Sequence, residues 1–188
     1  MSRLFRKSTK PAGLPPGTLV FNGRQKVEKT RLTLFDYDEN EVREKVIDRI
    51  EDSFPFKDTP TVTWINIDGL HDTEIVRTVG EHFDIHPLVL EDILSTGQRP
   101  KLQESDDYLF ITLNMLSYDE EKNEVLSEQV SLILGHNYVI SFQERPGDVF
   151  EPVRDRLRGK KGKIARMGAD YLCYALLDTV VDNYFSIL

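Results

Sequence analysis

The sequence predicts an α/β protein of the α+β type, an α/β/α sandwich whose mixed parallel and antiparallel sheet is covered by helices on both faces. Three observations predict it. Early β-rich runs are followed by helical patterns, which asks for a crossover connection. Three further β-rich runs lie close together between residues 108 and 142, which asks for an antiparallel meander. A last helical pattern from Ala169 contains neither glycine nor proline. With 188 residues, 39% hydrophobic, 30% charged and 10% aromatic, the chain has the size and make-up of one domain that needs no disulfide or structural metal.

Residues 1–17 read as a flexible basic arm, because Arg3, Arg6, Lys7 and Lys10 run into Pro11-Ala12-Gly13-Leu14-Pro15-Pro16-Gly17 with no apolar stretch of a signal peptide. The domain proper is expected over 18–188. Residues 18–21 and 31–37 read as strands, the first closed by the turn pair Asn22-Gly23. Asp38 is expected to start a helix. It stands at capping-box spacing from Glu41, and Val42, Val46, Ile47 and Ile50 share one helical face. Phe54-Pro55-Phe56 ends that helix, and residues 61–67 form the next strand, closing at Asp68-Gly69.

A helix from Asp72 to Phe83 buries Ile75, Val76, Val79 and Phe83, and Pro87 opens a shorter one to Leu94. Strands over 108–116, 125–134 and 138–142 come next, joined by residues 119–124 and by Gly135-His136-Asn137. Asp148 and Glu151 repeat the capping spacing ahead of a helix to about Arg158, and residues 159–162 form a basic loop. No capping signal appears in Tyr184-Phe185-Ser186-Ile187-Leu188, so the natural chain is expected to continue, or a partner to cover its apolar end.

A formal net charge of −8 speaks against nucleic acid as a partner and is compatible with cations as ligands. The single cysteine, Cys173, favours the cytosol, and no apolar run reaches the roughly 18 residues that a membrane helix needs. A Gly-rich phosphate loop and a Gly-x-Ser-x-Gly elbow are both missing, which leaves nucleotide chemistry and acyl transfer without support. The chain is read as no enzyme, with no small-molecule substrate.

The candidate site residues are carboxylates. Leu88-Val89-Leu90-Glu91-Asp92-Ile93-Leu94 is a mostly buried helix broken by two adjacent acids, which diverge by about 100° and so need further oxygen ligands from elsewhere. On the last helix Asp178 and Asp182 share a face at i, i+4, where like charges repel unless a cation sits nearby. Spacing alone favours the plainer account, that each carboxylate solvates an exposed edge.

His82 and His86 have the spacing of paired zinc ligands, but Phe83 stands where a glutamate base is needed and Pro87 makes His86 a helix cap. His71-Asp72 matches a phosphohydrolase dipeptide, yet Asp72 already suits an N-cap. Arg154, Arg156, Arg158, Lys160, Lys161, Lys163 and Arg166 read as a solvated helix end rather than a phosphate- or lipid-binding patch. Arg99-Pro100-Lys101 reads as a turn.

A set of ordered segments resembles the cytosolic N-terminal domain of the CorA family of magnesium channels. They are Trp64-Ile65-Asn66-Ile67-Asp68-Gly69-Leu70, Ile85-His86-Pro87-Leu88-Val89-Leu90-Glu91-Asp92-Ile93-Leu94 and Gln98-Arg99-Pro100-Lys101, then Glu128-Gln129-Val130-Ser131-Leu132 and Phe142-Gln143-Glu144. Gly147-Asp148-Val149-Phe150 with Pro152-Val153-Arg154, and Ala169-Asp170-Tyr171-Leu172 through Asp182-Asn183-Tyr184-Phe185, complete the match. The resemblance implies a homopentamer on the cytoplasmic side of the cell membrane, a stalk helix and transmembrane helices that this chain lacks, and Mg²⁺ or its relatives Co²⁺, Ni²⁺ or Zn²⁺ as the ion. It further implies that Glu91, Asp92 and Asp178 face a stalk carboxylate of the next subunit; Asp182 is added from helical spacing. A metal hydrolase and a small-molecule sensor on the same fold are the rival expectations.

Overall fold

Apolar side chains on both faces of the central strands require cover on both sides of the sheet, and the chain supplies it. The computed structural model describes residues 13–119 and 123–187. In chain order the elements are β1 (Arg31–Tyr37), β2 (Val42–Ile47), a 3-10 segment (Ile50–Phe56), β3 (Val62–Asp68), α1 (Thr73–Phe83), α2 (Pro87–Leu94) and β4 (Lys101–Glu104). Then come β5 (Leu109–Asp119), β6 (Glu124–Leu134), β7 (Tyr138–Gln143), α3 (Glu151–Arg158) and α4 (Ala169–Ile187). The expected arm lies outside the described residues as far as position 12, as do Leu188 and residues 120–122 of the β5–β6 connection.

The strands form one sheet in the order β2-β1-β3-β7-β6-β5-β4, with β3 and β7 parallel and the other pairings antiparallel. Strand alternation splits the core in two. Leu32, Leu34, Ile65, Ile67, Ile140 and Phe142 face α1, α2 and the 3-10 segment. Phe35, Tyr37, Trp64 and Val139 face α3 and α4. The mixed-sheet α/β/α sandwich read from the sequence is the fold observed.

Register at the parallel pair runs from Thr63 opposite Tyr138 to Asp68 opposite Gln143, and buried side chains fasten it. Trp64 Nε1 donates to Ser141 Oγ at 2.8 Å, and Ser141 Oγ donates to Asn66 Oδ1 at 2.6 Å. Gln143 Nε2 donates to the same oxygen at 2.8 Å, while Asn66 Nδ2 donates to Asp68 Oδ2 at 3.1 Å. A one-residue slip would turn these polar groups into the opposite apolar cluster and leave them unpaired.

Three local expectations are corrected. The helix expected from Asp38 to Ile50 is a hairpin and the edge strand β2. Asp38 Oδ1 accepts from the backbone of Asn40 at 2.7 Å and Glu41 at 2.8 Å, so the apparent capping box is an Asx-type turn. Residues 18–21 form no strand; Leu19 and Phe21 lie against the first core cluster, and Asn22 makes an isolated bridge to Ser95. Lys101, expected as the end of the turn Arg99-Pro100-Lys101, instead opens β4 along the other sheet edge.

Helices α1 and α2 begin as their sequences predict, but the capping box expected at Asp148 and Glu151 does not form: Phe150 is the N-cap of α3 without a side-chain cap bond, and Asp148 instead accepts from Phe150 N at 2.8 Å and from Arg154. Asp72 Oδ1 accepts from Glu74 N at 3.1 Å to cap α1, and His86 Nδ1 accepts from Leu88 N at 3.2 Å to cap α2. The two helices meet at Gly80, where a Cβ would lie 2.2 Å from Leu90 Cδ1. Leu90 is buried and has little room to give way. Gly80→Ala is therefore expected to lower stability by about 1–3 kcal/mol in urea unfolding, with Leu90→Ala in the same chain relieving part of the loss.

Candidate functional site

The apolar positions of α2 determine where its acids go. Val89, Leu90, Ile93 and Leu94 turn into the core, which leaves Glu91 and Asp92 along a half-exposed edge. Glu91 Oε2 accepts from the backbone of Gly17 at 2.8 Å, so the N-terminal segment is laid against this helix. Asp92 is 25% exposed and receives Gln98 Nε2 on Oδ1 at 2.7 Å, while Lys101 forms an ion pair with Oδ2.

Gln129, reaching over from β6, holds this arrangement in shape. Its Oε1 accepts from the backbone of Gly97 and Gln98, both at 3.1 Å, and its Nε2 donates to the Asp92 carbonyl at 3.2 Å. Beside it, buried Glu128 accepts from Glu144 N, Arg145 N and Arg145 Nε at 3.0, 3.1 and 2.9 Å. Lys26 reaches Glu144 at 2.9 Å and Glu128 at 3.7 Å. Burial pushes the Glu128 carboxyl above its ordinary range, with Lys26 opposing.

On the other outer layer, α4 buries Leu172, Cys173, Ala175, Leu176 and Val180 and exposes Asp178 and Asp182. The Tyr174 hydroxyl stands 3.5 Å from Asp178 Oδ1, and neither aspartate makes an ion pair among the described residues. Tyr174, Val181 and Phe185 are exposed on the same helix, Phe185 to 81%. Because α2 belongs to one core cluster and α4 to the other, the sheet stands between the two acidic pairs. Among the described residues no three metal-type donors converge.

The remaining sequence candidates find structural roles. His82 stacks on Phe54 with centroids 3.8 Å apart, away from the capping His86, so the zinc-like spacing brings no pair of ligands together. Arg154 is not solvated as expected: its two terminal nitrogens bind the carboxylate of Asp148 at 2.7 and 2.6 Å, and its guanidinium lies 5.1 Å from the Trp64 ring. Arg158 likewise pairs with Glu44 at 2.7 and 2.8 Å.

Two neighbouring carboxylates, Asp68 at the end of β3 and Asp148 in the segment that follows β7, have their pKa values moved in opposite directions. Around a pocket of about 200 Å³, Asp148 and Asp68 lie near each other. Burial raises the Asp148 carboxyl, but bonds from Arg154, Gln143 and Phe150 outweigh it and hold the group below its ordinary range. Asp68 receives only the neutral Asn66 amide on Oδ2; burial, then the charge of Asp148, outweigh that bond and push its pKa to about 6, and its Oδ1 is buried without a donor among the described residues.

Fold and carboxylate placement together define a domain that directs hard oxygen donors outward from both of its outer layers. A family profile described as "CorA-like Mg2+ transporter protein" matches residues 60–188, and the chain belongs to that family. The Cobalt/magnesium transport protein CorA of Thermotoga maritima is 51% identical over 176 residues, 94% of this chain and 50% of that protein. The Putative metal ion transporter YfjQ of Bacillus subtilis is 32% identical over 127 residues, 66% of this chain and 37% of that protein. The chain thus spans half or less of these relatives.

Among solved structures, the full-length CmaX protein superposes with a TM-score of 0.68 at 15% identity, over 87% of this chain and 49% of that one. The soluble domain of CorA from Methanocaldococcus jannaschii gives 0.54 at 16% identity, over 83% and 58%. These likenesses are of fold. The family is one of ion transporters, not enzymes, which removes the hydrolase rival.

No helix among the described residues is long and apolar enough to cross a membrane.

The raised Asp68 makes a signed prediction. A group whose folded pKa exceeds its unfolded value stabilises the protein when protonated, and that contribution is lost as pH rises through the folded value, here about 6. Wild-type stability is expected to fall by about 2 kcal/mol relative to Asp68→Asn between pH 4 and pH 8, measured by urea unfolding across that range.

Proposed function

We propose that this chain is the cytosolic divalent-cation-sensing and assembly domain of a CorA-like magnesium transporter, in which Mg²⁺ held between neighbouring subunits of a homopentamer favours the closed state. The observation that carries the reading is the outward placement of Asp178 and Asp182 one turn apart on α4, exposed and without an ion pair among the described residues. Like charges at that spacing destabilise a helix and gain from a bound cation. Half-exposed Asp92 and Glu91 supply a second group on the opposite layer.

The donor set suits the ion. All four groups are carboxylates, the hard oxygen ligands that Mg²⁺ takes while keeping several of its waters. The one thiol, Cys173, is buried in the core, and burial, then the Asp170 charge, push its pKa up to about 12. Among the described residues the one thiol is thus kept away from these carboxylates, and an all-oxygen donor set favours Mg²⁺ over Zn²⁺.

Since no three donors converge within the described chain, each pair is a half-site to be completed by oxygens of an adjoining subunit, as the family resemblance implies for a stalk carboxylate. A bound ion then neutralises acids that would repel across the boundary; its loss loosens the assembly. The ion would thereby report its own concentration and oppose further entry.

In the full-length protein, Mg²⁺ should protect against limited proteolysis in a saturable way. Asp178→Asn with Asp182→Asn is expected to raise the Mg²⁺ concentration for half protection about tenfold, within the usual span of coupling between sites. Protection that titrates identically in the double variant would remove α4 from the sensing role.

A further inference from the structure

We infer that Lys101 is a tethered competitor for the divalent cation at Asp92, so that the ion enters this half-site by exchange with an internal ammonium group; the inference rests on the proposed role of Asp92. Both carboxylate oxygens are engaged, but unequally. Gln98 donates a neutral hydrogen bond to Oδ1 and leaves the charge in place. Lys101 neutralises that charge and stands at Oδ2, where a metal would bind.

An ammonium group and a divalent cation on one carboxylate repel at contact distance, so the two occupancies exclude each other. Lys101 can leave. Its backbone is fixed as the first residue of β4, opposite Thr112, but the side chain is 33% exposed at the end of a flexible four-carbon stem. Its Nζ also lies 5.3 Å from the Phe110 ring centroid, a second attraction that holds it close when the ion is absent. Gln129, 3% exposed, holds the intervening loop and so keeps Gln98 and Lys101 aimed at Asp92.

The exchange has two consequences. Without the ion, partly buried Asp92 is not left as an uncompensated charge on the α2 edge. With the ion, the lost Lys101 contact subtracts from the gain of binding, which sets the half-site to respond only at higher cation concentration.

The test is a Mg²⁺ titration of the full-length protein at constant ionic strength, monitored through the chemical shifts of Asp92 and Gln98. Lys101→Met is expected to lower the half-saturating Mg²⁺ concentration roughly fivefold. Lys161→Met removes the same unit charge from an exposed loop and is expected to leave it unchanged. Asp92→Asn should abolish the shifts in both the wild-type and Lys101→Met backgrounds. Lys101→Gln, a polar replacement, should reproduce the tightening, with melting temperatures confirming that each variant folds.

If both Lys101 variants titrate as wild type while Asp92→Asn loses the response, the competitor role is wrong and the Asp92 reading stands. If Asp92→Asn titrates as wild type, that reading falls. A flat response in every variant overturns both.

Discussion

The constraint on which the structure depends is the parallel pairing of β3 with β7. Parallel neighbours cannot be joined by a tight turn, so the chain between them must leave the sheet and return. It does so through α1 and α2, then lays down β4, β5 and β6 before β7 closes against β3. That crossover covers one face. The other face still carries Phe35, Trp64, Val139 and Leu132, and the two helices C-terminal to β7, α3 and α4, cover it. Asn66 ties the two parallel strands together from within, accepting from Ser141 and Gln143 and donating to Asp68. The placement of α2 and α4 in opposite outer layers is thus a result of topology, and it prevents one chain from joining Asp92 to Asp178.

The legibility of this fold in the sequence tracks burial. The central strands β3, β5, β6 and β7 and the helices α1, α2, α3 and α4 stand where their apolar periodicities place them. Both strands that the patterns conceal, β2 and β4, are the two edges of the sheet. Edge strands are kept charged to discourage pairing with other chains, and Arg43, Glu44 and Lys45 are exposed along β2 as Leu102, Gln103 and Glu104 are along β4. A strand without a buried face loses the period-2 signal. In β2 the remaining apolar residues, Val42, Val46 and Ile47, happen to fit a helical repeat, and Asp38 caps a turn as readily as a helix. Residues 18–21 mislead in the opposite sense: their apolar side chains are used, but in packing Leu19 and Phe21 against the first core cluster rather than in a ladder.

The site was legible to a different degree. The acids themselves stand out, since two carboxylates in an otherwise apolar helix and two at i, i+4 are visible in any reading of residues 91, 92, 178 and 182. Their surroundings are not visible, because they come from distant parts of the chain. Gln129 lies 37 positions from the Asp92 carbonyl it holds, and Gly17 lies 74 from Glu91. Lys101 passes for a turn residue in the sequence, and only the backtracking of the chain into β4 brings it to Asp92. In the same way Arg154 looks like one of several cations at a solvated helix end until α3 folds it over Trp64 and onto Asp148.

The two acidic pairs therefore differ in a respect that matters for how an ion could control assembly. On α2 the charge of Asp92 is met within the chain by Lys101, so removing a cation there restores an internal ion pair and leaves little net repulsion to act on a neighbour. On α4 Asp178 and Asp182 have no ion-pair partner among the described residues and lie on the exposed face that also carries Tyr174, Val181 and Phe185. Apolar groups there favour contact with another surface, while the aspartates oppose it unless a cation is shared. In the proposed assembly, attraction and repulsion of similar reach on one helix would make a contact whose sign depends on bound cation, which makes α4 the half-site more sensitive to loss of the ion.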